Sequence, residues 1–244
     1  YVYVNAAGGI AAGTMITVTL ARTSNGGSGR VDGWVDPSGE FLSFASYVDN
    51  ARTLGEPACA QNVFGVASFA SKKYWNASDG FTYNFTTQSA LGNLSGFSSQ
   101  GPTRDGRRQP EVAAPGDAIA AASSADPAAD PGAQFILTDL RHRILRGTSM
   151  AAPVVAGILA ARLQWGLTRT VAQLREILRA QARADAATGA VPTYAWGYGK
   201  AAGSPQPVSP PTGLSATTLG LSSVAWNWGA VLGADAYSLY YATN

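Results

Sequence analysis

The stretch that most constrains this chain is "GTSMAAPVVAGILAAR", residues 147–162. Up to Arg162 it carries no charged side chain, and its apolar residues favour no single face. A helix that is apolar all round is a buried helix. The pattern therefore predicts a buried helix from near Ser149 to about Trp165. Pro153 fits in its opening turn, where backbone N–H groups have no intrahelical acceptor to lose.

Other runs suggest the surrounding layers. "NVFGVASFA" (62–70) is apolar almost throughout, as suits a strand of a parallel sheet covered on both faces. "DAIAAAS" (117–123) reads as another buried strand and "AQFILTDL" (133–140) as a third extended segment, while the polar and aromatic residues 71–95 read as a surface excursion. A second helix opens at "TVAQ": Thr170 caps it and Gln173 reaches back, a capping box. Val171, Leu174, Ile177 and Leu178 then form one stripe, with Arg175, Glu176 and Arg179 outside.

The flanks read differently. Residues 1–53 look β-rich, with alternation in "TMITVTLA" (14–21) and further strands at 30–35 and 40–48, separated by Gly, Asn, Asp and Pro turns. "GSPQPVSPP" (203–211) has linker composition. Beyond it, Val224, Trp226, Trp228, Tyr237, Leu239 and Tyr240 are spaced as in alternating strands. That tail is too short for a sandwich of about 100 residues, so it is expected to begin a second domain. Both ends break off in mid-pattern, and the chain is expected to be a piece of a longer protein.

Ser149 is the candidate nucleophile. Gly147, Ala151 and Ala152 leave room around it, and a helix N-terminus supplies unpaired N–H groups and the positive dipole end. The Ser149 N–H is thereby a candidate oxyanion donor. The competing reading is an ordinary helix-capping serine. A serine nucleophile needs a base, and the single histidine, His142, stands seven residues upstream, flanked by Arg141 and Arg143. The pattern G-x-S-x-G fails at Ala151, and no histidine follows Ser149.

Composition excludes several classes. Charged residues are only 13% of the chain, about half the usual share, which fits a secreted or cell-surface protein. The net charge is +2, and the clusters Arg104, Arg107, Arg108 and Arg141, Arg143, Arg146 are not interleaved with stacking aromatics, so no nucleic-acid footprint is expected. Cys59 is the only cysteine, which excludes an internal disulfide or a cysteine-based zinc site and leaves it as a small hydrophobe. No run reaches the roughly 20 apolar residues of a membrane helix. No paired carboxylates stand at metal-ligand spacing, Asp32 and Asp36 falling in a turn, so no cofactor is evident. The sequons at Asn76, Asn84 and Asn93 read as incidental.

Three strings in order carry a resemblance: "GFSSQGPTRDGRRQPEVAAPGDAI" (96–119), "GTSMAAPVVAGILA" (147–160) and "WGYGKA" (196–201). Together with "GEPACAQNVFGVASF" (55–69) they resemble the subtilisin-like serine peptidases over about 55–201. "QPEVAAPG" is similar to the family's "KPD-APG" element, with Gln109 and Glu111 as departures, and "GTSMAAP" to its nucleophile motif. The resemblance implies an Asp–His–Ser triad, endopeptidase activity on a protein or peptide substrate, Ser149 as nucleophile and structural Ca²⁺. The family's "DTG/DSG", "HGTH" and "AAGN" settings do not occur; "VNAAGG" holds Asn5 in reversed order. The expected base is therefore outside this sequence and His142 a bystander.

The fold class expected is α/β, the second half of a subtilisin-like three-layer sandwich with a parallel sheet. The boundaries read as a β-rich insertion at 1–53, the catalytic-domain half at 54–202, a linker at 203–210 and a fibronectin type III-like start at 211–244. Two other readings stand beside it: a non-catalytic binding or adhesion relative, and a carbohydrate- or surface-binding protein using Trp226 and Trp228.

Overall fold

The computed structural model describes residues 13–15, 17, 33, 46, 48–124, 132–164, 169–203, 212–220 and 223–229. The strands expected at 14–21, 30–35 and 40–48, together with Asn5, fall outside these or nearly so. The chain divides into two units, Tyr1–Phe44 and Ala45–Asn244, and nearly all described residues belong to the second.

Strand β1 (Val66–Ala70) pairs in parallel with a strand at Val112–Asp117, from Val66 opposite Val112 to Ala70 opposite Asp117. The first half of the long apolar run is not strand; pairing begins only at Val66. The other edge of Val112–Asp117 is taken by residues near Lys200. The Ala113 N–H donates to the Gly199 carbonyl at 2.8 Å, and the Ala201 N–H donates to the Ala113 carbonyl at 2.7 Å. This central strand reads poorly from sequence because it contains Pro115 and Gly116, both unfavourable in a strand interior.

Alternation along the central strand builds both faces of the sheet. Val112 and Ala114 pack with Ala151, Val155 and Leu178. Ala113 faces the other way, with Ala67 and Trp196. Between β1 and the central strand the chain forms a small pair, β2 (Trp75–Asn76) with β3 (Thr82–Tyr83). The central strand is β4, and Ala118, at φ 59°, turns the chain from it into β5 (Ile119–Ala122). β5 pairs antiparallel with β6 (His142–Leu145).

The structure corrects three expectations. β5 alternates between half-buried and exposed residues, so it is a surface ribbon and not a buried strand. Of the segment 133–140 only Ile136 and Leu137 form β-bridges; a 3₁₀ turn at Ala133–Phe135 and a tight turn with Leu140 at φ 58° fold it back on either side. Its apolar residues Phe135 and Leu137 pack on a cluster of Trp75, Ala77, Ala118 and Ile144, joined by Tyr83 and Phe85 from the 71–95 excursion.

The third concerns helix α1 (Thr148–Gln164), which forms where the sequence places it but is buried on one face only. Ala151, Val155 and Arg162 are buried, while Ala152, Pro153, Ala156, Gly157, Ala160 and Ala161 are exposed. Helix α2 (Val171–Gln181) starts with the predicted capping box: the Gln173 N–H donates to Thr170 Oγ1 at 3.3 Å, and the Thr170 N–H donates to Gln173 Oε1 at 2.8 Å. Leu174 and Leu178 carry its buried face. Farther along the chain, β7 (Ser215–Gly220) and β8 (Ser223–Asn227) pair antiparallel, and Trp226 and, just after β8, Trp228 are exposed.

Candidate active site

Ser149 is exposed and lies in the first turn of α1, where its N–H is one of the four without an intrahelical acceptor. Ala151, two residues on, is fully buried against β4, so the helix start is fixed while the hydroxyl is left open. The turn before it requires glycine. Gly147 has φ 147°, which L side chains rarely adopt, and its carbonyl accepts from the Met150 N–H at 3.0 Å.

The same turn is bonded to the carboxyl end of β4. The Gly147 N–H donates to the Gly116 carbonyl at 2.8 Å. A Cβ on Gly116 would stand 2.4 Å from Ser68 Oγ and 2.8 Å from the Gly147 carbonyl oxygen, so no larger residue fits without displacement. Beneath this contact lies a buried hydroxyl network. Ser68 Oγ and Ser95 Oγ share a 2.8 Å hydrogen bond, and the Ser68 N–H donates to Ser98 Oγ at 3.0 Å. "FSSQGP" therefore contributes Ser98 to the floor under the turn, a role the motif alone does not disclose.

Side chains repeat the connection between the two segments. Arg146 Nε lies 3.3 Å from Oδ1 of Asp117, whose side chain is fully buried. The guanidinium carbon of Arg146 sits 4.5 Å from the centre of the Phe85 ring and 5.0 Å from that of Phe97, and Nη1 donates to Thr87 Oγ1 at 3.2 Å. Neither Asp117 oxygen has a partner of good hydrogen-bond geometry. Burial pushes its carboxyl up, more than the Arg146 charge and the Ala118 amide pull it down. Sequence reading missed this pair: Arg146 stood there only within a basic cluster. The available signal was a lone acid in an otherwise uncharged run, 112–123.

His142 is placed away from Ser149. It begins β6, whose four residues span about 10 Å before the nucleophile turn starts. Its Nδ1 lies 2.5 Å from Asp139 Oδ2, and Asp139 Oδ1 accepts from the N–H groups of Arg141 and His142. The Arg141 amide first, and then the His142 ring, lower the Asp139 carboxyl to about 2. This is an exposed turn held together by an acid, with no contact to the serine among its bonds.

The two departures in "QPEVAAPG" hold the sheet to its surroundings. Buried Gln109 donates from Nε2 to the Val63 carbonyl at 3.1 Å and accepts at Oε1 from the Gly65 N–H at 3.0 Å. Buried Glu111 takes Arg175 at 3.1 Å on one oxygen and Arg179 on the other.

A parallel sheet, a helix starting at the carboxyl end of its central strand, and an exposed serine in that helix's first turn define an α/β arrangement that leaves a serine hydroxyl open at a helix N-terminus. The profile of the Subtilase family (peptidase S8) matches residues 7–199, and the chain belongs to that family. It is 28% identical over 130 residues to the serine protease AprX of Bacillus subtilis (strain 168), covering 53% of this chain and 27% of that protein. It is 39% identical over 90 residues to the serine protease/ABC transporter B family protein tagB of Dictyostelium discoideum, covering 32% of this chain and 4% of that protein. Among solved structures it is similar to the CspB protease of Clostridium perfringens, with 27% identity, a TM-score of 0.42, and coverage of 63% of this chain and 27% of that one. The chain thus spans about a quarter or less of the length of these relatives. It carries a subtilase-family serine protease domain of α/β fold. Among the described residues no helix is long and apolar enough to cross a membrane.

Proposed function

We propose that these 244 residues bear the nucleophile of a subtilisin-type serine endopeptidase whose triad aspartate and histidine lie in sequence outside them. The observation that carries the reading is the exposed Ser149 in the first turn of α1, fixed to the carboxyl end of β4. Ser149 Oγ attacks the carbonyl carbon of a peptide bond and gives its proton to the histidine. The oxyanion that forms is met by the Ser149 N–H and the positive end of α1. The proton then passes to the departing amine, and water releases the acyl group from Ser149 by the same steps.

Two further observations support this reading. His142 stands at the far end of β6 from the nucleophile turn, which leaves the role of base to another residue. The outer face of α1 is made of small apolar residues and is open, as suits a helix that the rest of a catalytic domain covers. The Ca²⁺ implied by family resemblance finds no group of three or more His, Cys, Asp or Glu among the described residues, and no step runs through it. The low share of charged residues supports a secreted or cell-surface setting.

A fluorophosphonate probe applied to the full-length protein tests the proposal. The expected result is covalent labelling at Ser149 that Ser149→Ala abolishes. A correctly folded protein that does not label is a non-catalytic member of the family, and the proposal fails.

A further inference from the structure

We propose that Arg146 and Asp117 are positioning residues for Ser149, an ion pair that clamps the nucleophile turn to the end of β4. The inference rests on the reading of Ser149 as nucleophile and adds to it two residues that no part of the motif names.

The geometry is a two-point attachment. Consecutive residues Gly116 and Asp117 face consecutive residues Gly147 and Arg146. One contact is backbone to backbone, Gly147 N–H to the Gly116 carbonyl at 2.8 Å. The other is side chain to side chain, Arg146 to Asp117 at 3.3 Å. A single hydrogen bond leaves a turn free to swivel about it; a second, offset contact removes that freedom. Arg146 is itself immobilised, because its planar guanidinium lies against both Phe85 and Phe97 and reaches Thr87. Three segments therefore converge on the residue three positions before Ser149: the end of β4, the stretch 85–87 and Phe97.

The energetics indicate why a purely architectural role is a poor account. Asp117 is fully buried, yet its oxygens lack well-directed hydrogen bonds. A buried carboxylate so sparsely satisfied is expensive, and an apolar pair of similar volume would commonly be as stable or more so. Charge kept at such a cost beside a reactive group is the pattern of a functional site. The clamp acts through Arg146 on the Gly147 peptide and so on the direction of the Ser149 hydroxyl. Orientation of that kind changes the rate of attack more than it changes substrate affinity.

The test uses the full-length protein and two readouts: the rate constant of fluorophosphonate labelling at Ser149, and the split between kcat and KM on a peptide substrate. Arg146→Met keeps the length of the side chain and removes its charge; Asp117→Asn keeps the shape of the acid. Each is expected to slow labelling and kcat about 10- to 100-fold with KM nearly unchanged. The double variant should be no slower than the worse single one, and Arg146→Lys should recover part of the loss. Thermal unfolding of each variant separates this from partial unfolding. If all variants label at the parent rate, or if the loss only follows the unfolded fraction, the clamp is overturned while the nucleophile stands. If the parent itself does not label, the nucleophile assignment falls and the clamp falls with it.

Discussion

Glu111 holds two arginines of one helix on a single carboxylate, and it does so from the position just before the strand that carries the site. Its side chain is 1% exposed, whereas those of Arg175 and Arg179 are 20% and 27% exposed. Removing the acid takes from Arg175 its carboxylate partner and leaves Arg179 with Glu176 alone, at positions that solvent only partly reaches. Glu111→Ala is expected to lower stability by about 2–3 kcal/mol, below the full penalty for a buried pair because of that exposure, as read from urea unfolding. The arginines also lie over Phe64 and Tyr198, so the loss loosens α2 from both edges of the sheet. His142 makes the opposite case, a residue with eye-catching chemistry and a local task. His142→Ala should leave labelling at Ser149 unchanged. It should also raise the Asp139 midpoint above about 2, though still below an ordinary carboxylate near 4, because the larger contribution, from the Arg141 amide, remains. Since the folded value is depressed, this turn's contribution to stability is full above about pH 4 and is lost as the pH falls through about 2. NMR titration of the Asp139 carboxyl carbon, with and without His142, checks both the direction and the residual shift.

At the level of elements, the strand end and the turn fit because one position has no side chain. Gly116→Ala places a methyl group 2.4 Å from Ser68 Oγ, inside the buried hydroxyl network. The expected outcome is about 1–3 kcal/mol of lost stability together with slower labelling, since the methyl would also stand 2.8 Å from the Gly147 carbonyl oxygen. Calorimetry and probe kinetics on the same preparation measure both. Elements with local chemical signatures were legible in the sequence. The Thr170 and Gln173 box fixed the start of α2, and the uninterrupted apolar run fixed the bounds of α1 to within a residue or so. Elements whose pairing is decided elsewhere were not. β4 hides behind Pro115 and Gly116, and is a strand because β1 and the residues near Lys200 bond to it on both sides. The segment 133–140 has an extended-looking composition, but Asp139 and Leu140 turn it, and its apolar side chains serve a satellite cluster. Of the candidate site, the place of Ser149 at the start of α1 was legible from its motif, while the contact of Asp117 with Arg146 was not, because a pair joining residues distant in sequence leaves no periodic trace.

For the whole molecule, the decisive feature is the open side of α1. Hydropathy alone gives a helix enclosed all round, and the described residues enclose half of it. If the remainder of a catalytic domain covers the other half in the full-length protein, a charge placed there must be buried. Ala156→Lys in that protein is then expected to cost several kcal/mol, while Ala186→Lys, also at an exposed alanine here, stays within about 0.5 kcal/mol. Equal tolerance of the two, measured by chemical denaturation, removes the claim that further parts of the domain pack on this face.

The strand pairing also has a consequence for the order of events at the ribosome. β4 lies between β1, which is made before it, and the residues around Lys200, which are made long after it. Until that late segment emerges, one edge of β4 is an open row of donors and acceptors next to an exposed apolar helix. At about 5–20 residues per second, translation leaves this edge unpaired for several seconds. The subtilase domain in this chain therefore depends, during its own synthesis, on whatever keeps a sticky half-sheet from pairing with its neighbours.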